Sequence, residues 1–407
     1  LSASKNFKAG FSPTVDCATL VVAVEKGFAA DEGVTLELLK KNSTDELLAE
    51  WNRGALHGLH LSASLPVASA LGLPVLPADL IAPFVLATGG ATLVVSQSLH
   101  KDLVGEGMKI PDPATVARAL ARVALSRQTS DLARLVFAVE HHLSVSAFEL
   151  RYLLASARLP ADCEISFMPT FPANMPDLLE NGQIDGFYVA EPYGSAAVLQ
   201  GTARIVTTKS HIWQNAPEKV LAVSQDWSEA YPATLESLLR ALYRAGEWCA
   251  SSANYEELSD ILSAADYLDM DRDLILPALT GYISHSPARM LECSSFFSTS
   301  GKAANFPWQS QALWFFSQML RWKDCPPEFA DDAKIYEAAS QAFRPDIFRK
   351  AMRPIFAPVP TANLKVEGTL KAPVHVGASR SGLVLGPDAF FDGSIFDPEK
   401  IDTGDEN

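Results

Sequence analysis

The chain is short of cysteine, of long apolar runs and of basic residues, and each shortage removes a class of function. No apolar stretch approaches the ~20 residues that a helix needs to cross a bilayer, so no membrane span is expected. Its 33 Lys and Arg stand against 48 Asp and Glu, a formal net charge of −15. A polyanion such as nucleic acid is repelled overall by that balance and is not expected as a direct partner. A small anionic ligand stays open, because its affinity depends on the local field of a pocket. The five cysteines, Cys17, Cys163, Cys249, Cys293 and Cys325, are odd in number and lack metal-ligand spacing, which leans toward a reducing compartment. The opening LSASKNFKAGF lacks the basic start, apolar run and small-residue cleavage site of a secretory signal. As the sequence stands the expected location is cytoplasmic, and the alternative is periplasmic with a signal peptide already removed.

No metal and no cofactor are expected. His141 and His142 are adjacent, but neither a Glu nor a third His follows at ligand spacing. The Gly-, Pro- and Asp-rich end, 357–407, carries the run GPDAFFDGSIFDP without the ligand periodicity of a calcium loop. It reads as a wrapped, solvated tail.

What is present is a chain of 407 residues, 48% hydrophobic. That exceeds the ~250–300 residues at which single cores stop growing, so two or more lobes are expected. Strands are predicted over 6–11, 34–39, 56–61, 84–87, 91–95, 135–139, 164–168, 184–189 and 219–223, with helices between most of them. Segment 77–83 reads as a crossing and 101–111 as a loop. This alternation implies an α/β fold in which strand ends feed helix starts along one sheet edge, the place where such proteins hold ligands. The strand-end residues Asp16, Ser62 and Ser64, the Gly89-Gly90 pair, and the turn Ala190-Glu191-Pro192 followed by Lys219 are therefore candidates for a small-anion site. Free N–H groups at helix starts and the Lys219 cation are the chemistry such a site requires. Glu191 is expected to cap or brace its turn.

From Asp226 onward the pattern turns helical, with helices predicted over 232–249, 255–262, 271–281, 303–322, 333–342 and 345–352 and no strand between them. A helical half packing back on an α/β half implies a discontinuous protein. Lobe I is expected to comprise 1–87 and 224–356, lobe II 88–223, and the tail 357–407, with two chain crossings as a hinge and a cleft between the lobes. Trp308, Trp314 and Trp322 read as packing residues. Arg151 lies just inside a helix start, where it pairs either across the cleft or with solvent. An enzymatic alternative would use Cys17, beside Asp16 at the cleft mouth, but no base is assignable to it; His57 and His60 read as packed or solvated imidazoles.

The runs IWQNAPEKVLAVSQDW (212–227), AEP (190–192), FELRYLLASA (148–157), AANFPWQSQALWFFSQMLRW (303–322), FRPDIFRKA (343–351) and FFDGSIFDP (390–398) resemble the nitrate- and bicarbonate-binding proteins of ABC transporters, and equally the cytoplasmic nitrate/nitrite sensors of the same family. The resemblance covers nearly the whole chain. It implies a type II periplasmic-binding-protein fold, no catalysis, and one small oxyanion between two lobes. The implied partner is an ABC permease, or a regulatory protein in the sensor case. Residue by residue, the lysine of the nitrate-binding pattern is kept as Lys219 and its glycine as Gly89. The tryptophan position falls near Thr44, the glutamine becomes Gly90 and the histidine becomes Ser146. Bulk and donors are lost together, so a larger pocket, weak nitrate binding and a different or larger anion are expected, oriented by Thr44, Ser62, Ser64 and Ser146 and by backbone N–H groups near Gly89 and Ala190.

Overall fold

Parallel strands joined by helical crossovers build each of two sheets, the first completed by two antiparallel strands and the second by one. The computed structural model describes residues 5–74, 76–158, 165–377 and 382–401. The strands in chain order are β1 (Lys5–Phe11), β2 (Val34–Lys40), β3 (Gly58–Ser62), β4 (Leu80–Gly89), β5 (Ala91–Ser96), β6 (Val136–Val139), β7 (Ser166–Pro169), β8 (Gly186–Ala190), β9 (Ala203–Thr208), β10 (Pro217–Ser224), β11 (Tyr282–Ser286), β12 (Arg289–Glu292), β13 (Phe297–Ser298), β14 (Val374–His375) and β15 (Val384–Leu385). The first sheet runs β13-β4-β10-β3-β1-β2 and the second β7-β6-β8-β5-β9. In the first, β1 is parallel to β2 and β3, and β10 lies antiparallel between β3 and β4. In the second, β6 is parallel to β7 and β8, and β5 lies antiparallel between β8 and β9. The antiparallel strands β5 and β10 each follow a chain crossing between the lobes, and the carboxyl ends of the parallel strands face one cleft.

Fully buried Phe7, Phe11 and Phe84 anchor the first core; Phe148, Tyr188 and Trp213 anchor the second. Each such side chain contributes about 1.5–3 kcal/mol by leaving water.

Several expectations need correction. The expected lobe II ran to 223, but Pro217–Ser224 hydrogen-bonds into the first sheet, so the return crossing lies before Pro217. The segment 101–111 is not all loop: Gln97–Gly105 is a helix capped by the Ser96 hydroxyl and anchored by buried Leu99 and Leu103, one turn apart. The 77–83 crossing is short, because β4 begins at Leu80 and includes Pro83. The second half is not purely helical. The hairpin β11–β12 packs its first strand on β9, and β13 pairs with Thr88 and Gly89. The helix expected over 303–322 starts only at Gln309, after Lys302 and Ala303 take left-handed backbone angles of φ 51° and 57°. The strand expected over 164–168 is Ser166–Pro169; Glu164 and Cys163 lie outside the described residues.

The acid-rich end straps the hinge. Phe390 stacks on Trp213 at 4.9 Å, Asp392 accepts from the Tyr152 hydroxyl, and Asp388 pairs with Lys365. These acids brace the strap, and no cluster of three or more metal-ligating side chains occurs among the described residues.

Candidate functional site

The cleft is lined by the ends of β1, β3 and β10 from one lobe and by the loop after β6 and the turn after β8 from the other. β3 and β10 place Ser62 directly opposite Lys219. Opposed residues of an antiparallel pair share a face, so both side chains point at the second lobe. There Glu140, at the carboxyl end of β6, hydrogen-bonds the Lys219 ammonium, with side chains 6% and 3% exposed. The next residues dock on β3: Val145 N–H, at the head of the helix Val145–Ser156, donates to Ser62 Oγ at 2.8 Å, and Ser64 Oγ donates to Leu143 O. On the far side, Val15 N–H donates to Glu191 O at 2.8 Å and the Tyr193 hydroxyl to Pro13 O at 2.9 Å. Direct hydrogen bonds thus hold the lobes together around Lys219.

Behind Lys219 the expected Asp16 is paired with His60, which sequence reasoning did not place in the site. His60 Nε2 lies 3.1 Å from Asp16 Oδ1, both side chains fully buried. The Thr14 hydroxyl also donates to Asp16. Burial alone would raise the Asp16 pKa, but the nearby charges of His60 and Lys219 outweigh it and hold the carboxyl below its ordinary range. Lys219 is likewise disfavoured by burial, yet Glu140, Asp16 and Glu218 together keep its ammonium charged above the usual lysine range. Among the described residues, Asp16 Oδ2, Glu140 Oε1 and His60 Nδ1 are buried without a hydrogen-bond partner.

A second buried network starts one residue away. Lys209 contacts Glu149 and lies 3.2 Å from Glu218 Oε2, while the Tyr188 hydroxyl donates to Glu149 at 2.7 Å. Glu218 Oε1 is 3.8 Å from Lys219, which joins the two networks. Burial pushes the Glu218 carboxyl up to about 7 against the pull of both lysines.

The other expected site residues fall as follows. Thr44 is the first residue of the helix Thr44–Asn52, whose cap is Ser43. Ser146 is buried in the first turn of the helix Val145–Ser156. The backbone N–H groups expected to hold an anion are already used: Gly89 N–H donates to Ala216 O and Gly90 N–H to Phe296 O. Ala190 is paired with Ala91 in the second sheet, and Glu191 N–H donates to Gly90 O. This corrects the expectation of free donors near Gly89 and Ala190. The glycines are instead required by close packing, since a Cβ at Gly89 would lie 2.1 Å from Phe296 O. The Glu191 carboxylate accepts from Thr92 Oγ1 at 2.6 Å and from Ser195 N–H at 2.9 Å, which ties β5 to the following helix. Burial raises its pKa.

Arg151 pairs with Asp324 at 2.7 Å and sits over the Phe167 ring. His141 Nδ1 accepts from Leu143 N–H. Cys17 is fully buried, and burial with Asp16 beside it pushes the thiol well above its usual pKa. A thiol held protonated and out of solvent is not a nucleophile. At Lys219 the buried side chains of Glu140, Asp16 and His60 stand close together. The inter-lobe cavity of about 300 Å³ opens at the rim instead, between Pro13, Lys40 and Asn42 on one side and Pro176, Asp177 and Tyr193 on the other.

The chain is 32% identical over 353 residues to the nitrate import ATP-binding protein NrtC of Synechocystis sp., a match covering 86% of this chain and 50% of that protein. It thus spans about half the length of that relative. It is 26% identical to the nitrate/nitrite binding protein NrtA of Nostoc sp., across 97% of this chain and 83% of that one. Among solved structures, the periplasmic nitrate-binding protein NrtA from Synechocystis superimposes with a TM-score of 0.80 at 23% identity, covering 97% of this chain and 96% of that one. The fold is that of a type II periplasmic binding protein, as the strand order in both sheets requires. Residues 2–263 match the NMT1-like family, and the chain belongs to that family.

Proposed function

We propose that this chain is a non-enzymatic ligand-binding unit of a nitrate- or bicarbonate-type ABC importer, holding one small oxyanion between its lobes. The observation that carries this reading is the convergence of both lobes on Lys219: Asp16, His60 and Ser62 stand behind it, and Glu140 with the head of the helix Val145–Ser156 meets it from across the cleft. A buried lysine facing a helix N-terminus is the arrangement that fixes a small anion. Ser62, Ser64, Ser146 and Thr44 are the nearby hydroxyls proposed to orient it. The ABC permease is the proposed partner. The NrtA structure is described as periplasmic, and the same location is proposed here.

One observation favours a second reading. The ATP-binding relative is more similar to this chain than the nitrate/nitrite-binding protein is, 32% against 26%. In that reading it is an anion-sensing unit in the cytoplasm that controls a regulatory partner.

A thermal-shift panel of nitrate, nitrite, hydrogencarbonate, alkanesulfonates and small carboxylates tests the proposal. At a hundredfold excess over Kd a cleft ligand adds about 2.7 kcal/mol to stability by mass action. At least one anion is expected to raise Tm in the native protein and not in Lys219→Met. A flat response to the whole panel would remove the reading.

A further inference from the structure

The elements of the cleft that would attract an anion are already answered by the protein's own groups. Lys219 Nζ is held by Glu140 Oε2 from the opposite lobe and lies 3.8 Å from Glu218 Oε1. The Val145 N–H is taken by Ser62 Oγ. Two buried acceptors, Glu140 Oε1 and Asp16 Oδ2, are without a partner among the described residues. Around one lysine, itself engaged by Glu140, the cleft therefore offers two carboxylates with a free oxygen each, and the nitrogens without a hydrogen-bond partner beside them are those of His60, behind Asp16.

A buried carboxylate oxygen needs a donor, and leaving it facing another acceptor is costly. Nitrate has three acceptor oxygens and no donor, so beside Glu140 and Asp16 it would set acceptor against acceptor while competing with Glu140 for Lys219. An oxyanion of the same planar shape that carries one O–H offers an acceptor edge to Lys219 and a hydrogen to a carboxylate. We propose that Glu140, supported by Asp16, is the specificity-determining residue of this cleft: it admits oxyanions that bring their own O–H or N–H donor and rejects donor-free ones. Discrimination then comes from an unfavourable pairing built against the wrong ligand. This inference rests on the reading of the cleft as the ligand site.

Titration calorimetry of nitrate and hydrogencarbonate into the full chain, Glu140→Gln and Glu140→Asp tests it. The native protein and Glu140→Asp, which keeps the carboxylate, are expected to bind hydrogencarbonate at least about tenfold more tightly than nitrate. Glu140→Gln, whose amide can donate, is expected to gain at least about tenfold in nitrate affinity. If Glu140→Gln does not fold, Asp16→Asn poses the same question from the other acceptor and is expected to shift selectivity in the same direction. Equal nitrate affinity in the native protein and in the folded variant would overturn the role of Glu140 while leaving the cleft as a ligand site. No heat from either anion in any of these proteins would overturn the role of Glu140 and the nitrate- or bicarbonate-type reading of the cleft together.

Discussion

Lys209→Met is expected to destabilise the protein by about 3–5 kcal/mol, the cost of leaving buried charge uncompensated. Lys209 is fully buried, contacts Glu149 and lies 3.2 Å from Glu218. Methionine fills similar volume, so the loss reports charge rather than packing. The effect carries a pH signature. Glu218 has its pKa raised from 4.5 to about 7 by burial, so the folded state binds its proton more tightly than the unfolded chain. Its contribution to stability is fully present below about 4.5 and is lost as pH rises through about 7. Above that pH the carboxylate is charged and depends on its lysines. The deficit of Lys209→Met should therefore widen between pH 5 and pH 8. Urea unfolding at both pH values checks this, and a deficit that is constant with pH would argue that Lys209 acts only through packing.

Gly89→Ala is expected to be comparably damaging for a different reason. Gly89 ends β4 at the outward crossing, with φ 70°, and an added Cβ would sit 2.1 Å from Phe296 O and 3.0 Å from Phe296 C. A left-handed angle alone costs roughly 1–2 kcal/mol for a residue with a Cβ. The backbone clash must also displace β13 from the edge of the first sheet. A total of about 3 kcal/mol or more is expected. Gly182→Ala is the internal control: its φ is 68° with nothing within 4 Å of the added carbon, so only the conformational cost of roughly 1 kcal/mol should appear. Equal losses at the two sites, measured by denaturant unfolding, would show that the Phe296 contact yields without cost.

The legible part of the fold was the part written in local pattern. Alternating apolar segments with capping residues marked β1, β2, β3, β6 and the helices Pro232–Ala250 and Pro345–Met352, and the structure keeps them within a few residues. The missed elements carry weak local signals. β9 has only Ile205 and Val206 as aliphatics in a run otherwise of Arg, Thr and Ala, and it is a strand because β5 pairs with it. The helix Gln97–Gly105 shows a single buried pair, Leu99 and Leu103, in a polar segment.

The site divides in the same way. Asp16, Ser62 and Lys219 were visible because strand ends must converge on one edge. Glu140 was overlooked beside two histidines that invited a metal reading. Its link to Lys219 spans 79 residues and exists only because the lobes meet. His60 read as a packing residue for the same reason, since its partner Asp16 lies on a different strand end. The sequence does carry a signal for it: an acidic residue at the carboxyl end of a predicted strand is placed by the topology in the cleft. The resemblance pointed to Lys219 as an anion partner, and the counter-ion that changes its meaning lay outside the motif.

A small anion bound between the two lobes is expected to draw them together about the hinge. Small-angle X-ray scattering with and without the anion that gives the largest thermal shift tests this most directly. The radius of gyration is expected to fall on saturation toward the roughly 22 Å of a compact chain of 407 residues, and Lys219→Met should not show the decrease. A radius unchanged at ligand concentrations that raise Tm would place the bound anion outside the cleft and contradict the claim.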